Sequence, residues 1–423
     1  MKQYITLPIA ILAFFCACTT QKIDENYARN FVKKTLSLPE PVTAKILTGG
    51  FSGASLFTVT ANGKKYVVRF FPHKTQKDRQ KEIWCLNSAS KGGYGPRVYF
   101  TDVDQGVIIM EYLQHQKITR EQRMSPKLYR DLAHLLQKIH QGPQFAETIN
   151  IFDRIEEYIQ KNKILAQEQQ VGTIPLNKLL HILTAIRHAC ASHMTVAPCH
   201  NDLHPSNMIF LGNTIKVIDY ETAAQSDPFF DVATVAIYNS FFNAKLEHTL
   251  FSTYLEREPT PEETAQLYLM KQAALISYAM SFLKMHPSML YLYESLQTQP
   301  YEEFFNGVGK GKINLEDQDA KVALAKIMID SAIANSETHE FKDALLLLNK
   351  NDIMNTSAIQ TSTIQDPPHP EHSESSSHED NLEEKYEIHN NRGIVPLSFS
   401  RLSRSSRAFS LPTLPLPPRE SFI

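Results

Sequence analysis

The segment that decides the fold runs from position 199 to 233 and reads CHNDLHPSNMIF, then LGNTIKVIDYETAA, then QSDPFFDVA. Gly212-Asn213 is a two-residue turn signal between two apolar runs, Met208 to Leu211 and Thr214 to Ile218. A hairpin with so short a turn has a fixed register. It pairs Leu211 with Thr214 and, counting back, Asn207 with Ile218. Asn207 and Asp219 therefore meet at the open end of the hairpin, beside the loop that carries Asp202. A carboxylate, an amide and a second carboxylate converge there, a set suited to holding a hard, oxygen-loving cation while one carboxylate orients a hydroxyl nucleophile. Each piece alone is an ordinary turn or strand end. The reading rests on the spacing: a histidine, an aspartate two residues on, an asparagine five after it and an aspartate twelve further.

A second reading stays open at this point. His200, Asp202 and His204 alternate along the chain and could ligate zinc or a similar metal, as in a metallohydrolase. That needs further ligands in spaced partner motifs, and the remaining histidines are scattered or lie near the carboxy terminus. Under the first reading His200 braces the loop backbone and His204, before Pro205, is structural.

Upstream the pattern is that of strands. Residues 42–47 lead into Gly49-Gly50-Phe51-Ser52-Gly53, and 54–61 and 64–71 alternate around Asn62-Gly63, a strong hairpin signal. The glycines sit between two strands, so neither the dinucleotide fingerprint nor a Walker loop applies. A turn of this kind can fold over phosphates and offer them backbone N–H groups. Arg69 is a lone cation in an apolar strand, and Glu82 on the next predicted helix, 75–90, is its natural partner. The pair positions phosphate; the alternative is a solvated strand charge. A short apolar strand is predicted at 107–110. From Pro126 onward the spacing is helical, with Leu128, Leu132, Leu135, Leu136 and Ile139 on one face until Gly142-Pro143. A small β-rich lobe followed by a large helical lobe is an α+β arrangement.

The 423 residues carry 43 Lys plus Arg against 45 Asp plus Glu, so no basic footprint marks nucleic acid as a partner. Five cysteines, Cys16, Cys18, Cys85, Cys190 and Cys199, show neither a paired framework nor a CxxC spacing, which points to a reducing compartment. The apolar run 5–17 before Cys18 has the outline of a secretory or lipoprotein signal and is too short to span a membrane. Its alternatives are a leader packed on the domain or an over-extended start. Residues 356–384, rich in Ser, His, Pro and acid, and 392–423, with Arg401, Arg404 and Arg407 among serines, lack the apolar density to offset ordering entropy. They predict a disordered tail, either solvated and inert or binding a protein partner. The division expected is a leader or membrane tether at 1–22, a nucleotide-binding lobe at 23–113, a helical lobe with the catalytic loop and substrate pocket at 114–350 and the tail at 351–423.

HNDLHPSN followed by IKVIDYE and DPFFDVA resembles the signature of the aminoglycoside phosphotransferase and choline kinase superfamily, two-lobed relatives of protein kinases. The resemblance covers about 23–285, with GGFSG, YVVRF, Glu82 and VIIMEYL in the expected order, and DYE with DPFFDVA is most similar to bacterial choline and thiamine kinases. It implies ATP and Mg²⁺ as cofactors, with Asp202 as catalytic base and Asn207 and Asp219 holding Mg²⁺ on the ATP phosphates. Gly49, Gly50, Ser52 and Gly53 would cover the phosphates, and Arg69 with Glu82 would touch them. Met110, Glu111 and Tyr112 would line the adenine slot. Glu221 and Asp231 would brace or line the site. Arg69 departs from the lysine of many relatives, and its forked geometry differs from a lysine's point charge. The acceptor expected first is choline or ethanolamine, ahead of thiamine, a sugar or an antibiotic. Tyr238, Phe241, Phe242, Tyr254, Tyr278 and Phe282 crowd the later helices, and rings suit a quaternary ammonium, although aromatics at helical spacing also make core. A protein kinase-like enzyme lacks support, since no Asp-Phe-Gly or Ala-Pro-Glu occurs. A membrane-tethered ligand-binding protein without turnover is the other rival. The compartment expected is the cytoplasm, with 1–22 as the candidate tether.

Overall fold

A computed structural model describes residues 23–349 apart from 48–53, 169–173, 240–242, 285–292, 294, 298 and 316. The leader, the tail and Gly49, Gly50, Ser52 and Gly53 lie outside the described residues.

A helix that the strand pattern does not announce comes first. Helix α1 (Glu25–Thr35) starts where Asp24 accepts the Tyr27 N–H at 2.9 Å. Strands β1 (Val42–Ile46), β2 (Ser55–Ala61) and β3 (Lys64–Phe70) follow, then helix α2 (Gln76–Lys91), β4 (Val98–Asp102) and β5 (Val107–Glu111). The five strands form one antiparallel sheet in the order β1-β2-β3-β5-β4. Asn62 and Gly63, both at positive φ (50° and 72°), make the tight β2–β3 turn that the sequence predicts.

Alternation along β3 decides where its charge goes. Tyr66, Val68 and Phe70 face a small core with Ala28, Val32, Phe57 and Ile109, where the Phe31 ring of α1 meets that of Phe70 edge-on. Arg69, opposite Leu56 and Ile108 in the ladder, must face the other way, toward α2. Thr75 caps α2, taking the Asp78 N–H at 3.2 Å, within one residue of the expected start.

Helices α3 (Arg120–Arg123), α4 (Pro126–His140), α5 (Ile151–Glu168) and α6 (Leu176–Cys190) come next. The predicted stripe of α4 is buried as expected: Leu132, Leu136 and Ile139 are wholly inside. Then come β6 (Ala197–Cys199), a 3₁₀ turn at Pro205–Asn207, β7 (Met208–Leu211), β8 (Thr214–Val217) and β9 (Ala224–Ser226). Helices α7 (Pro228–Asn239), α8 (Ala244–Leu255) and α9 (Pro261–Lys284) follow, with further helices at Tyr301–Gly309, Gln318–Ser336 and 339–349. One large apolar core runs from the underside of the sheet through these helices. All described residues belong to one compact unit. Among them no helix is long and apolar enough to cross a membrane.

Candidate active site

The β7–β8 hairpin has the expected register, with Leu211 opposite Thr214 and Met208 opposite Val217. It continues one step further, where the Ile218 N–H reaches the Asn207 carbonyl at 3.0 Å. Asp219 follows in the left-handed region, φ 65°, which turns the chain sharply after the strand. Around the hairpin, β6 and β9 pair antiparallel and set Cys199 opposite Ala224. Residues 200–223 thus form a closed segment pinched at its base, and this pinch brings the Asp202 loop beside Asp219.

Asp231, in the first turn of α7, holds that loop in place. Its carboxylate is wholly buried and accepts the backbone N–H groups of His200 and Asn201, each at 2.7 Å, while His140 Nε2 lies 3.2 Å away. His200 Nε2 reaches the Ile218 carbonyl at 3.0 Å, and the Thr222 hydroxyl donates to the His200 carbonyl at 3.0 Å. His200 therefore braces the loop, as read from the sequence. Asn201, at φ 61°, makes the bend that presents Asp202.

Asp202 is about a quarter exposed and already oriented. Asn207 Nδ2 donates to its carbonyl at 2.9 Å and to Oδ2 at 3.1 Å, and the Tyr278 hydroxyl donates to Oδ1 at 3.0 Å. Burial and the Asp202 charge push the Tyr278 phenol well above its ordinary range, so it stays a donor. The zinc-type reading of His200, Asp202 and His204 fails here: His200 Nε2 is spent on the Ile218 carbonyl, His204 Nε2 stands 3.6 Å from Asp202 Oδ2, and among the described residues these three do not form a group close enough to ligate. Among the described residues the group of this kind close enough to ligate is His140, Cys199 and Asp231, all buried, where Asp231 already serves two amides.

The other wall of the site comes from the sheet. Arg69 pairs with Glu82 as expected, both nearly buried, and its other contacts run to Asp219 Oδ1 at 3.4 Å and Glu221 Oε2 at 3.9 Å. Arg69, Glu82, Met110 and Asp219 line one cavity. The Glu111 side chain is committed elsewhere, to the Arg97 N–H at 3.1 Å and Lys216 Nζ at 3.3 Å. Tyr112 lies under Lys65, 5.1 Å from its ammonium. Lys74, which sequence reasoning missed, sits 2.8 Å from both Glu82 Oε2 and Glu221 Oε2. Burial alone would depress its pKa, but the two glutamates carry it above the ordinary lysine value. Its position before the α2 cap was a poor signal, because only the fold of the 71–74 turn aims it.

Of the six aromatics singled out, Tyr238 and Tyr278 stand next to Asp202, their rings perpendicular with centroids 5.0 Å apart, and His204 lies 6.3 Å from each. Tyr254 does not belong to that group: its hydroxyl meets His140 Nδ1 at 2.9 Å on the far side of Asp231. Phe282 is packed against the main core, and Phe241 and Phe242 lie outside the described residues.

The chain is similar to known proteins in sequence and in fold. The LicA protein of Haemophilus influenzae is 23% identical over 213 residues, which are 49% of this chain and 61% of that protein. The chain thus spans less than two thirds of that relative. The thiamine kinase of Escherichia coli is 26% identical over 204 residues, 47% of this chain and 67% of the enzyme. In fold, a choline/ethanolamine kinase family protein from Mesorhizobium loti matches with a TM-score of 0.55 at 20% identity, over 76% of this chain and 98% of that one. The two-lobed kinase-like fold expected from the motifs is the fold observed. A model of the phosphotransferase enzyme family (APH) matches residues 43–267, more than half of the chain, and spans the sheet, the pinched segment and α7, so the chain belongs to that family.

Proposed function

We propose that this protein is an ATP- and Mg²⁺-dependent kinase that transfers the γ-phosphoryl group to a hydroxyl of a small cationic molecule, choline or ethanolamine before others. One observation carries the reading: Asp202 and Asn207 are bonded to each other at 3.1 Å on one loop, and that loop is closed against Asp219, which faces the Arg69–Glu82 pair.

The donor set fits the metal. Asn207 spends its Nδ2 on Asp202, which leaves an amide oxygen, and Asp219 offers a partly exposed carboxylate. Oxygen donors of this kind suit a hard divalent cation. When bound, Mg²⁺ neutralises charge on the phosphates. Asp202 receives the proton of the acceptor hydroxyl on a remaining lone pair, its carboxylate oriented by Tyr278 at Oδ1 and by Asn207 at Oδ2. Arg69, anchored on Glu82 through Nη1, offers its guanidinium charge to phosphate oxygens. Positioning and charge supply most of the acceleration in this chemistry, so few reactive groups are needed.

The acceptor reading is supported by the rings of Tyr238, Tyr278 and His204 beside Asp202, because aromatic faces attract quaternary ammonium groups. Thiamine is the second reading, favoured by the similarity to the Escherichia coli thiamine kinase; it too pairs a cationic ring with a primary hydroxyl. The need for ATP puts the proposed activity in the cytoplasm, with residues 1–22 as a candidate tether. Purified protein incubated with labelled ATP and a panel of choline, ethanolamine, thiamine, aminoglycosides and sugars tests the proposal. Transfer to choline or ethanolamine is expected. Transfer to another class replaces the acceptor, and absence of any Mg²⁺-dependent transfer rejects the kinase reading in favour of a ligand-binding role.

A further inference from the structure

Beyond β3 the backbone turns back on itself, the Lys74 N–H donating to the Phe71 carbonyl at 3.2 Å. The turn sets two cations over one ring: Arg69 lies 5.5 Å and Lys74 5.9 Å from the centroid of the buried Phe71. Glu82 serves both, one on each carboxylate oxygen, Arg69 on Oε1 and Lys74 on Oε2. A single buried glutamate thus orients two positive charges, Arg69 in the cavity it shares with Asp219 and Lys74 in the neighbouring cavity that it shares with Glu221, Glu82 lining both.

The second contact of each cation is of a different kind. Arg69 touches Asp219, and Lys74 bridges to Glu221, both from the segment that follows β8. Glu82 is 3% exposed, whereas Asp219 and Glu221 are 29% and 36% exposed. Partly solvated pairs contribute little. A polyphosphate entering here would meet two carboxylates that repel it and two cations that attract it. The cheapest rearrangement keeps both cations on Glu82 and gives up the outer pairs.

We propose that Lys74 is a second phosphate-binding cation of the nucleotide site, held beside Arg69 by Glu82 and transferred from Glu221 to a phosphate oxygen when the nucleotide binds. This rests on the kinase reading above. It adds a residue that neither the motifs nor the resemblance assigns, and it gives Glu221 the role of a placeholder for phosphate.

The test is calorimetric titration of the full chain with Mg-ATP and, separately, AMP. Lys74→Met should weaken Mg-ATP binding on the order of tenfold, the weight of a charge-assisted contact. AMP should bind as in the parent, and Lys74→Arg should recover most of the loss. Unchanged Mg-ATP affinity in Lys74→Met overturns the inference, as does an equal loss for ATP and AMP, which would mark Lys74 as a structural link only. Should Lys74→Met not fold, Glu221→Gln carries the test, since it frees Lys74: tighter Mg-ATP with unchanged AMP is expected, and unchanged or weaker Mg-ATP overturns it. A parent that binds no Mg-ATP would instead sink the kinase reading itself, so the two failures are distinguishable.

Discussion

The hydroxyl of Tyr278 in α9 donates to Oδ1 of Asp202 at 3.0 Å, across 76 residues of chain. Asn207 holds the other oxygen, so the carboxylate is fixed from both sides before any acceptor arrives. Replacing Tyr278 by Phe keeps the ring against Tyr238 and removes this bond together with the hydroxyl's contact to Thr234. Because Asp202 is partly exposed, water can replace the donor, and the expected loss is on the order of tenfold in kcat, with KM for ATP unchanged. Steady-state kinetics with the acceptor identified by the panel would check it; unchanged kcat would show that the bond orients nothing that matters.

Asp202→Ala and Asp219→Ala should each leave the fold intact, since both side chains are partly solvated, yet remove most phosphoryl transfer. For Asp202 the drop expected from losing a general base is about 10²- to 10⁴-fold. Circular dichroism alongside the transfer assay separates lost chemistry from lost structure, and full activity in either variant would defeat the assignment.

Asp231→Ala belongs to another category. It strands two buried backbone N–H groups at once and empties a buried site, so a loss of about 3 kcal/mol or more is expected. Denaturant unfolding measures this; a change under about 1 kcal/mol would mean that the loop holds without its anchor.

Asp227, just before α7, accepts the N–H groups of Phe229 and Thr195 at 2.8 and 3.2 Å. Burial raises its carboxyl from 3.8 to about 6 against the pull of those bonds. The folded chain therefore binds this proton more tightly than the unfolded one. Its contribution to stability is complete below about pH 3.8 and is lost as the pH rises through 6, a change of about 3 kcal/mol. Asp227→Asn cannot titrate. Relative to that variant, the parent should lose about 2 kcal/mol of this between pH 4 and pH 7, measured by chemical denaturation at both; a difference independent of pH would refute it.

The parts of the site legible in the sequence were those tied by short-range geometry. A two-residue turn leaves one register, so Asn207 had to meet Ile218 and Asp219 had to follow. Arg69 was readable because a lone charge in an apolar strand needs an acid, and Glu82 on the next helix was the natural one. Tyr278, His140 and Lys74 were not legible as partners, because helix packing and one irregular turn bring them in and neither follows a period. Helical spacing likewise could not tell Tyr254, behind Asp231, from Tyr278, in front of Asp202. The α1 helix escaped notice for a similar reason: its cap is local, but its purpose, covering Phe70, is tertiary.

The three-residue ladder between β6 and β9 has an energetic corollary. Because the chain is sewn shut at Cys199 and Ala224, the spacing of the two acids is settled during folding, and an arriving ligand spends nothing on ordering them. What it must still alter is the allegiance of two basic side chains on the opposite wall. Affinity in this molecule should therefore be tuned from the sheet, while the pinched segment stays the invariant part of the machine.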